Sequence, residues 1–174
     1  MDLTHQMTEE DCLSFLTKGY VHGNITDLQS VDFNQYNFID CNSVVDDGKP
    51  EIDKRLYTIL DTTKEFLIQN YVSKLFTKFT FLEAYAWSGV DPGSAVWHND
   101  LREGFNSNIL VYLDDSLGKN KIEVRNDHEG FCIYPKKGDF VWINQNRKFQ
   151  HKATHVQGDR RVFSFEFNID SLWT

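Results

Sequence analysis

The chain has 174 residues, enough for one domain with a substantial hydrophobic core. Hydrophobic residues make up 40% and aromatics 14%, including 14 phenylalanines, which excludes a disordered or low-complexity protein. The 26 acidic residues outnumber 18 basic ones, for a formal charge of −8, and that field disfavours non-specific binding to nucleic acid.

The polar, acidic start MDLTHQMTEEDC does not read as a signal peptide, and no apolar run approaches the ~20 residues needed to span a bilayer. Cys12, Cys41 and Cys132 are widely spaced and odd in number, so the expectation is buried thiols in a reducing, cytoplasmic setting. Residues 9–18 predict a short helix, capped by Thr8 and ended by Gly19. The mixed Val, Phe, Tyr and Ile between Gln29 and Val45 suggests one or two strands, followed by a turn at Asp46–Pro50.

The strongest helical pattern runs over 52–78, where Ile52, Leu56, Ile59, Leu60, Phe66, Leu67, Tyr71 and Leu75 recur at helical spacing. From Phe79 the period becomes two. Strands are expected at 80–88, 94–98, 107–113, 121–125, 131–134, 139–144, 148–155 and 160–168, with Gly, Asp and Asn punctuating them. Eight short strands at this spacing point to a mostly β protein, a double-stranded β-helix or jelly roll packed against a long helix. One domain over 1–174 results, with helical support in 1–78 and the jelly-roll core in 79–168.

His98-Asn99-Asp100 places an imidazole and a carboxylate at i and i+2, on one face of an extended segment, so both can reach one ion. A third ligand must come from elsewhere. Two histidines and one carboxylate form the facial triad that holds non-haem Fe(II) and leaves coordination positions open.

Here the sequence resembles the 2-oxoglutarate- and Fe(II)-dependent dioxygenases, most closely the prolyl-hydroxylase-like members. Their pattern is His-x-Asp, a distal histidine some fifty or more residues on, and a basic residue about ten positions beyond. His98-Asn99-Asp100, His151 and Arg160 or Arg161 match it in this chain. Pro135-Lys136-Lys137-Gly138 and the apolar run Phe140–Ile143 are similar to the turn and strand that precede the distal histidine in that family. The stretch NILVYLD, from Asn108 to Asp114, looks like its strand ending in Tyr-Leu-Asn. The chain departs from the family at GKNKIEVR, from Gly118 to Arg125, where many members carry a glycine pair.

The resemblance implies Fe(II) held by His98, Asp100 and His151, with 2-oxoglutarate and dioxygen as cosubstrates. It implies hydroxylation of a protein residue, such as a prolyl group, or of an amino-acid-like small molecule, with release of succinate and CO2. The distal carboxylate of 2-oxoglutarate needs a cation, and arginine's planar fork suits it. By alternation Arg161 shares a face with Phe163, Phe165 and Phe167, whereas Arg160 shares one with Val162, Ser164 and Glu166. The mixed face suits a polar cavity, which favours Arg160 over Arg161. Tyr112 matches the family position whose hydroxyl bonds the same carboxylate, and Asn108 and Leu110 share its face. Tyr85 and Trp87 share a face that could line the pocket, while Trp97 should point away from the metal. Nucleic acid and membrane are not expected partners. A cupin-like metalloenzyme or zinc hydrolase without 2-oxoglutarate could use the same ligands, and an inactive jelly-roll binding protein could keep the scaffold.

Overall fold

The computed structural model describes residues 6–40, 52–89, 95–101, 106–115, 120–154 and 160–169. Helix α1 (Glu9–Thr17) begins at a capping box, in which Thr8 and Asp11 each satisfy the other's backbone N–H. It stops at Gly19, whose φ of 85° only glycine adopts without strain; a side chain there would also strike the Phe149 ring. Phe15 pins α1 to the core, its ring 4.4 Å from that of Trp142.

The expected 52–78 helix is segmented. A 3-10 turn (Lys54–Leu56) leads into α2 (Tyr57–Leu67), a π-helical turn (Ile68–Val72) and a short α3 (Ser73–Leu75). The π turn inserts an extra residue and so buries Asn70, Tyr71 and Val72 in succession. The Asn70 side-chain amide donates to the carbonyl of Phe66 at 2.9 Å, which satisfies it inside the core.

Among the described residues there are nine strands: β1 (Tyr20–Asn24), β2 (Ile39–Asp40), β3 (Phe79–Ser88), β4 (Ser107–Tyr112), β5 (Lys121–Arg125), β6 (Gly130–Ile133), β7 (Asp139–Asn144), β8 (Gln150–Thr154) and β9 (Arg161–Ile169). The large sheet has the order β1-β7-β4-β9-β3-β2 and the small one β6-β5-β8. Every pairing is antiparallel except β2 with β3. The architecture is thus β-sheet with supporting helices.

The alternation of β4, β7 and β9 sorts two cores. Ile109, Val111, Phe140, Trp142, Phe163, Phe165 and Phe167 face the helices and join Leu60, Phe66, Leu67 and Tyr71. Leu110, Tyr112, Val141, Ile143 and Val162 face the small sheet and meet its Ile122 and Ile133. The large sheet is therefore the middle layer, and the space between the two sheets is where a polar site can form.

Several expectations are corrected. The Gln29–Asp40 stretch holds 3-10 turns (Thr26–Ser30, Phe33–Gln35) and only the two-residue β2, because Asp32 accepts from the Asn34 N–H and Phe33 plugs down onto Phe163. The described part of 94–98 is not a strand and makes one isolated bridge, at His98. β1, which pairs along β7, is an addition. Cys132 is exposed and Cys12 only half-buried, so the expectation of buried thiols fails for both. The Asp46–Pro50 turn and Cys41 lie outside the described residues. No helix among the described residues is long and apolar enough to cross a membrane.

Asp139 ties β1 to the start of β7. Its carboxylate accepts from Asn24 Nδ2 (2.7 Å), the Lys136 N–H (2.8 Å) and His22 Nε2 (3.1 Å). Burial pushes this carboxyl up, but the His22, Lys136 and Asn24 donors outweigh it and hold it below the usual range. Asp139→Asn should cost about 2 kcal/mol of stability near neutral pH, read by urea unfolding. The stabilisation from a depressed native-state pKa is complete above the unfolded value of about 3.9 and is lost as pH falls from there through the lower native value, so the gap between wild type and variant should close over that range.

Candidate metal centre

His151 sits on β8 opposite Val124, on the face that looks toward the large sheet. His98 is held beside it by a pair of backbone hydrogen bonds, His98 N–H to the His151 carbonyl (3.0 Å) and the reverse (2.9 Å). The two rings lie 4.2 Å apart between centroids. Asp100, just past this bridge, reaches both: Oδ1 is 3.6 Å from His98 Nε2, and Oδ2 is 3.3 Å from His151 Nε2. One ligand atom from each of the three residues lies within 4.8 Å of the others.

This donor set fits a divalent ion. Two imidazoles and one carboxylate are the donors of a facial Fe(II) site. His98 Nδ1 lies 2.7 Å from the Val96 carbonyl. A proton on that nitrogen donates to the carbonyl, fixes the ring and leaves the Nε2 lone pair turned toward Asp100. The His151 side chain is 8% exposed against 41% for Asp100, so the cluster is closed on the histidine side and open on the carboxylate side.

Asn99, between the two ligands in sequence, holds the turn after β7. Its amide group lies 3.1, 3.0 and 2.9 Å from the carbonyls of Gln145, Asn146 and Phe149. Its Oδ1 accepts from the Leu101 N–H. From that turn, fully buried Gln145 reaches back: the Asp100 N–H donates to its Oε1 at 3.1 Å, and its Nε2 donates to Asp100 Oδ2 at 3.2 Å. Sequence reasoning passed over both residues. The only trace was the run of amides Asn144-Gln145-Asn146 just before the distal histidine.

The two arginines have different surroundings. Arg160 Nη2 is 3.4 Å from Tyr112 Oη, with its guanidinium over the Tyr112 ring, on the face turned toward the small sheet. Arg161 lies on the opposite face. It forks onto Asp114 through Nε (3.0 Å), Nη2 and its backbone N–H (2.9 Å), and covers Phe38. Arg161→Ala should therefore lower the melting temperature, since it leaves Asp114 without its cation, while changing little in ligand affinity; thermal denaturation alongside a ligand titration checks this.

Asn108 accepts a hydrogen bond from Ser164 on the Tyr112 face, and Leu110 packs into the same inner core. Trp87 borders that core with Tyr85 4.9 Å away, ring to ring. Trp97 lies between Arg125 and Lys152, on the opposite face of the small sheet from His151. His22 is taken by Asp139, and His128 is exposed in a turn. His5 and His155 lie outside the described residues. A cavity of about 540 Å³, lined by Phe15, Phe76, Leu101 and Phe149 among others, includes none of the three clustered residues.

No protein-family model matches this sequence, and no curated protein does. Solved structures do match in shape. A 2-oxoglutarate–Fe(II) oxygenase-family oxidoreductase from Burkholderia pseudomallei superposes with a TM-score of 0.67 at 11% identity, over 94% of this chain and 92% of that one. The prolyl hydroxylase of Trichoplax adhaerens, solved with a hypoxia-inducible-factor peptide fragment, gives 0.62 at 12%, over 91% and 87%. HygX of Streptomyces hygroscopicus, solved with nickel and 2-oxoglutarate, gives 0.60 at 13%, over 97% and 89%. This chain therefore shares its fold with these solved structures. Upon that fold it brings together its own His98, Asp100 and His151.

Proposed function

We propose that this protein is an Fe(II)- and 2-oxoglutarate-dependent oxygenase, built on a jelly roll of the prolyl-hydroxylase-like kind, that hydroxylates a protein residue or an amino-acid-like small molecule. The observation that carries the reading is the convergence of His98, Asp100 and His151 from separate segments onto one point. Arg160 and Tyr112 add to it, as a cation and a phenol set together on the inward face of the large sheet.

In this reading His98 Nε2, His151 Nε2 and an Asp100 oxygen hold the metal. Bound Fe(II) supplies the activation of dioxygen coupled to oxidative decarboxylation of 2-oxoglutarate to succinate and CO2. The chain's own residues bind and orient. Arg160 receives the C5 carboxylate through its planar fork, and Tyr112 Oη donates a further hydrogen bond to it. Trp87, Leu110, Val162 and Ile122 surround that end with apolar surface, which keeps water away and strengthens the ion pair. A shorter 2-oxo acid would leave the Arg160 charge unpaired, so the site selects by length. Because the peptide-bound hydroxylase shares the fold, a peptide is the first substrate class to try.

The test is release of succinate across peptide and amino-acid panels, with Fe(II), 2-oxoglutarate and oxygen each omitted in turn. Turnover that needs all three supports the proposal. Metal-dependent hydrolysis indifferent to 2-oxoglutarate would point instead to a cupin-like or zinc enzyme.

A further inference from the structure

We infer that Gln145 is the positioning residue of the metal centre: it sets the orientation of the Asp100 carboxylate, and metal affinity depends on it. The inference rests on the proposed role of His98, Asp100 and His151 and adds to it a residue outside the ligand set.

Asp100 is the most exposed of the three candidate ligands. The two histidines are locked to each other by their backbone bridge, but Asp100 comes after it, in a segment without ladder partners. Ordering the χ1 and χ2 rotors of a carboxylate costs free energy when a metal binds, and hydrogen bonds that orient it beforehand lower that cost. Gln145 holds Asp100 at two points. Its Oε1 accepts the Asp100 N–H and fixes the backbone, while its Nε2 donates to Oδ2 and fixes the carboxylate plane.

Gln145 is itself held rigidly. Its side chain is fully buried, its N–H donates to the Asn106 carbonyl at 3.2 Å, and its own carbonyl lies 3.1 Å from the Asn99 amide. Asn99 and Gln145 thus clasp each other across the His98–Asp100 segment and the turn after β7. Both amide atoms of this fully buried glutamine end on Asp100. Substitution should therefore be felt in metal affinity beyond any loss of stability.

The experiment titrates Mn(II) alone into the full chain, follows free Mn(II) by electron paramagnetic resonance, and compares wild type with Gln145→Met and Gln145→Glu. Methionine keeps the shape and removes both hydrogen bonds. Glutamate keeps the acceptor for the Asp100 N–H but replaces the donor to Oδ2 with oxygen, and it stands in if the methionine variant fails to fold. Circular dichroism confirms the fold of each metal-free variant. The expected result is Mn(II) binding weaker by roughly 10- to 100-fold in the folded variants. Wild-type affinity in a folded variant, even one with a lowered melting temperature, would overturn the inference and leave the metal centre standing. No binding by the wild type would overturn both.

Discussion

Asp100→Ala is expected to abolish Mn(II) and Fe(II) binding at micromolar metal and, with it, all succinate release. Asp100 supplies the only carboxylate of the cluster, lying 3.6 Å from one histidine nitrogen and 3.3 Å from the other. Without it two neutral imidazoles face a divalent ion, the charge is uncompensated, and one of three fixed positions is lost. The loss should exceed the roughly 10–100-fold typical of a residue that merely supports a ligand. Folding should survive, because Asp100 is exposed and the His98–His151 bridge is made by backbone atoms. What remains is a folded protein without a metal. An Asp100→Ala variant that keeps full 2-oxoglutarate-dependent succinate release would defeat the account.

Arg160→Leu carries the second large effect. Truncating one partner of a buried, hydrogen-bonded charge pair costs about 2–5 kcal/mol, much of it from the charge left unpaired. That is a rise of about 30-fold to several thousand-fold in the half-saturating concentration of 2-oxoglutarate. Mn(II) affinity measured without 2-oxoglutarate should be unchanged, since among the described residues Arg160 engages Tyr112 and none of His98, Asp100 and His151. Arg160→Lys should recover part of the loss, because the charge returns but the fork does not. Steady-state kinetics and metal titration together separate these outcomes. Equal weakening of metal binding would place Arg160 elsewhere in the chemistry.

Much of this was legible in the sequence, for reasons particular to the residues. The continuous apolar run Phe140–Ile143 announces a strand buried on both faces, and the alternation along Arg161–Ile169 separates Arg160 from Arg161. The His98-x-Asp100 spacing works because an extended segment turns i and i+2 to one side, even though only His98 itself pairs with a neighbour. What escaped has physical causes too. Phe33, Tyr36 and Phe38 have strand-forming side chains, yet they sit in or beside tight turns because Asp32 captures a backbone N–H and the rings pack over the sheet. Propensity yields there to tertiary packing. β1 carries His22 and Gly23 in a five-residue strand, a weak local signal. Gly23 is needed because the Phe140 ring lies where a side chain would go, 2.6 Å from a would-be Cβ. Gln145 escaped because an amide in a polar turn has no periodicity. Its partner stands 45 positions away, and only the fold brings them together.

The central claim is that metal and 2-oxoglutarate share one site in this chain. Calorimetric titration of 2-oxoglutarate into the protein, once metal-free and once saturated with Mn(II) under anaerobic conditions, tests it most directly. The account predicts that 2-oxoglutarate binds at least about tenfold more tightly to the Mn(II)-loaded protein, with metal affinity raised by the same factor in the reciprocal titration. Equal affinity with and without metal, or no binding of 2-oxoglutarate in either state, would contradict it.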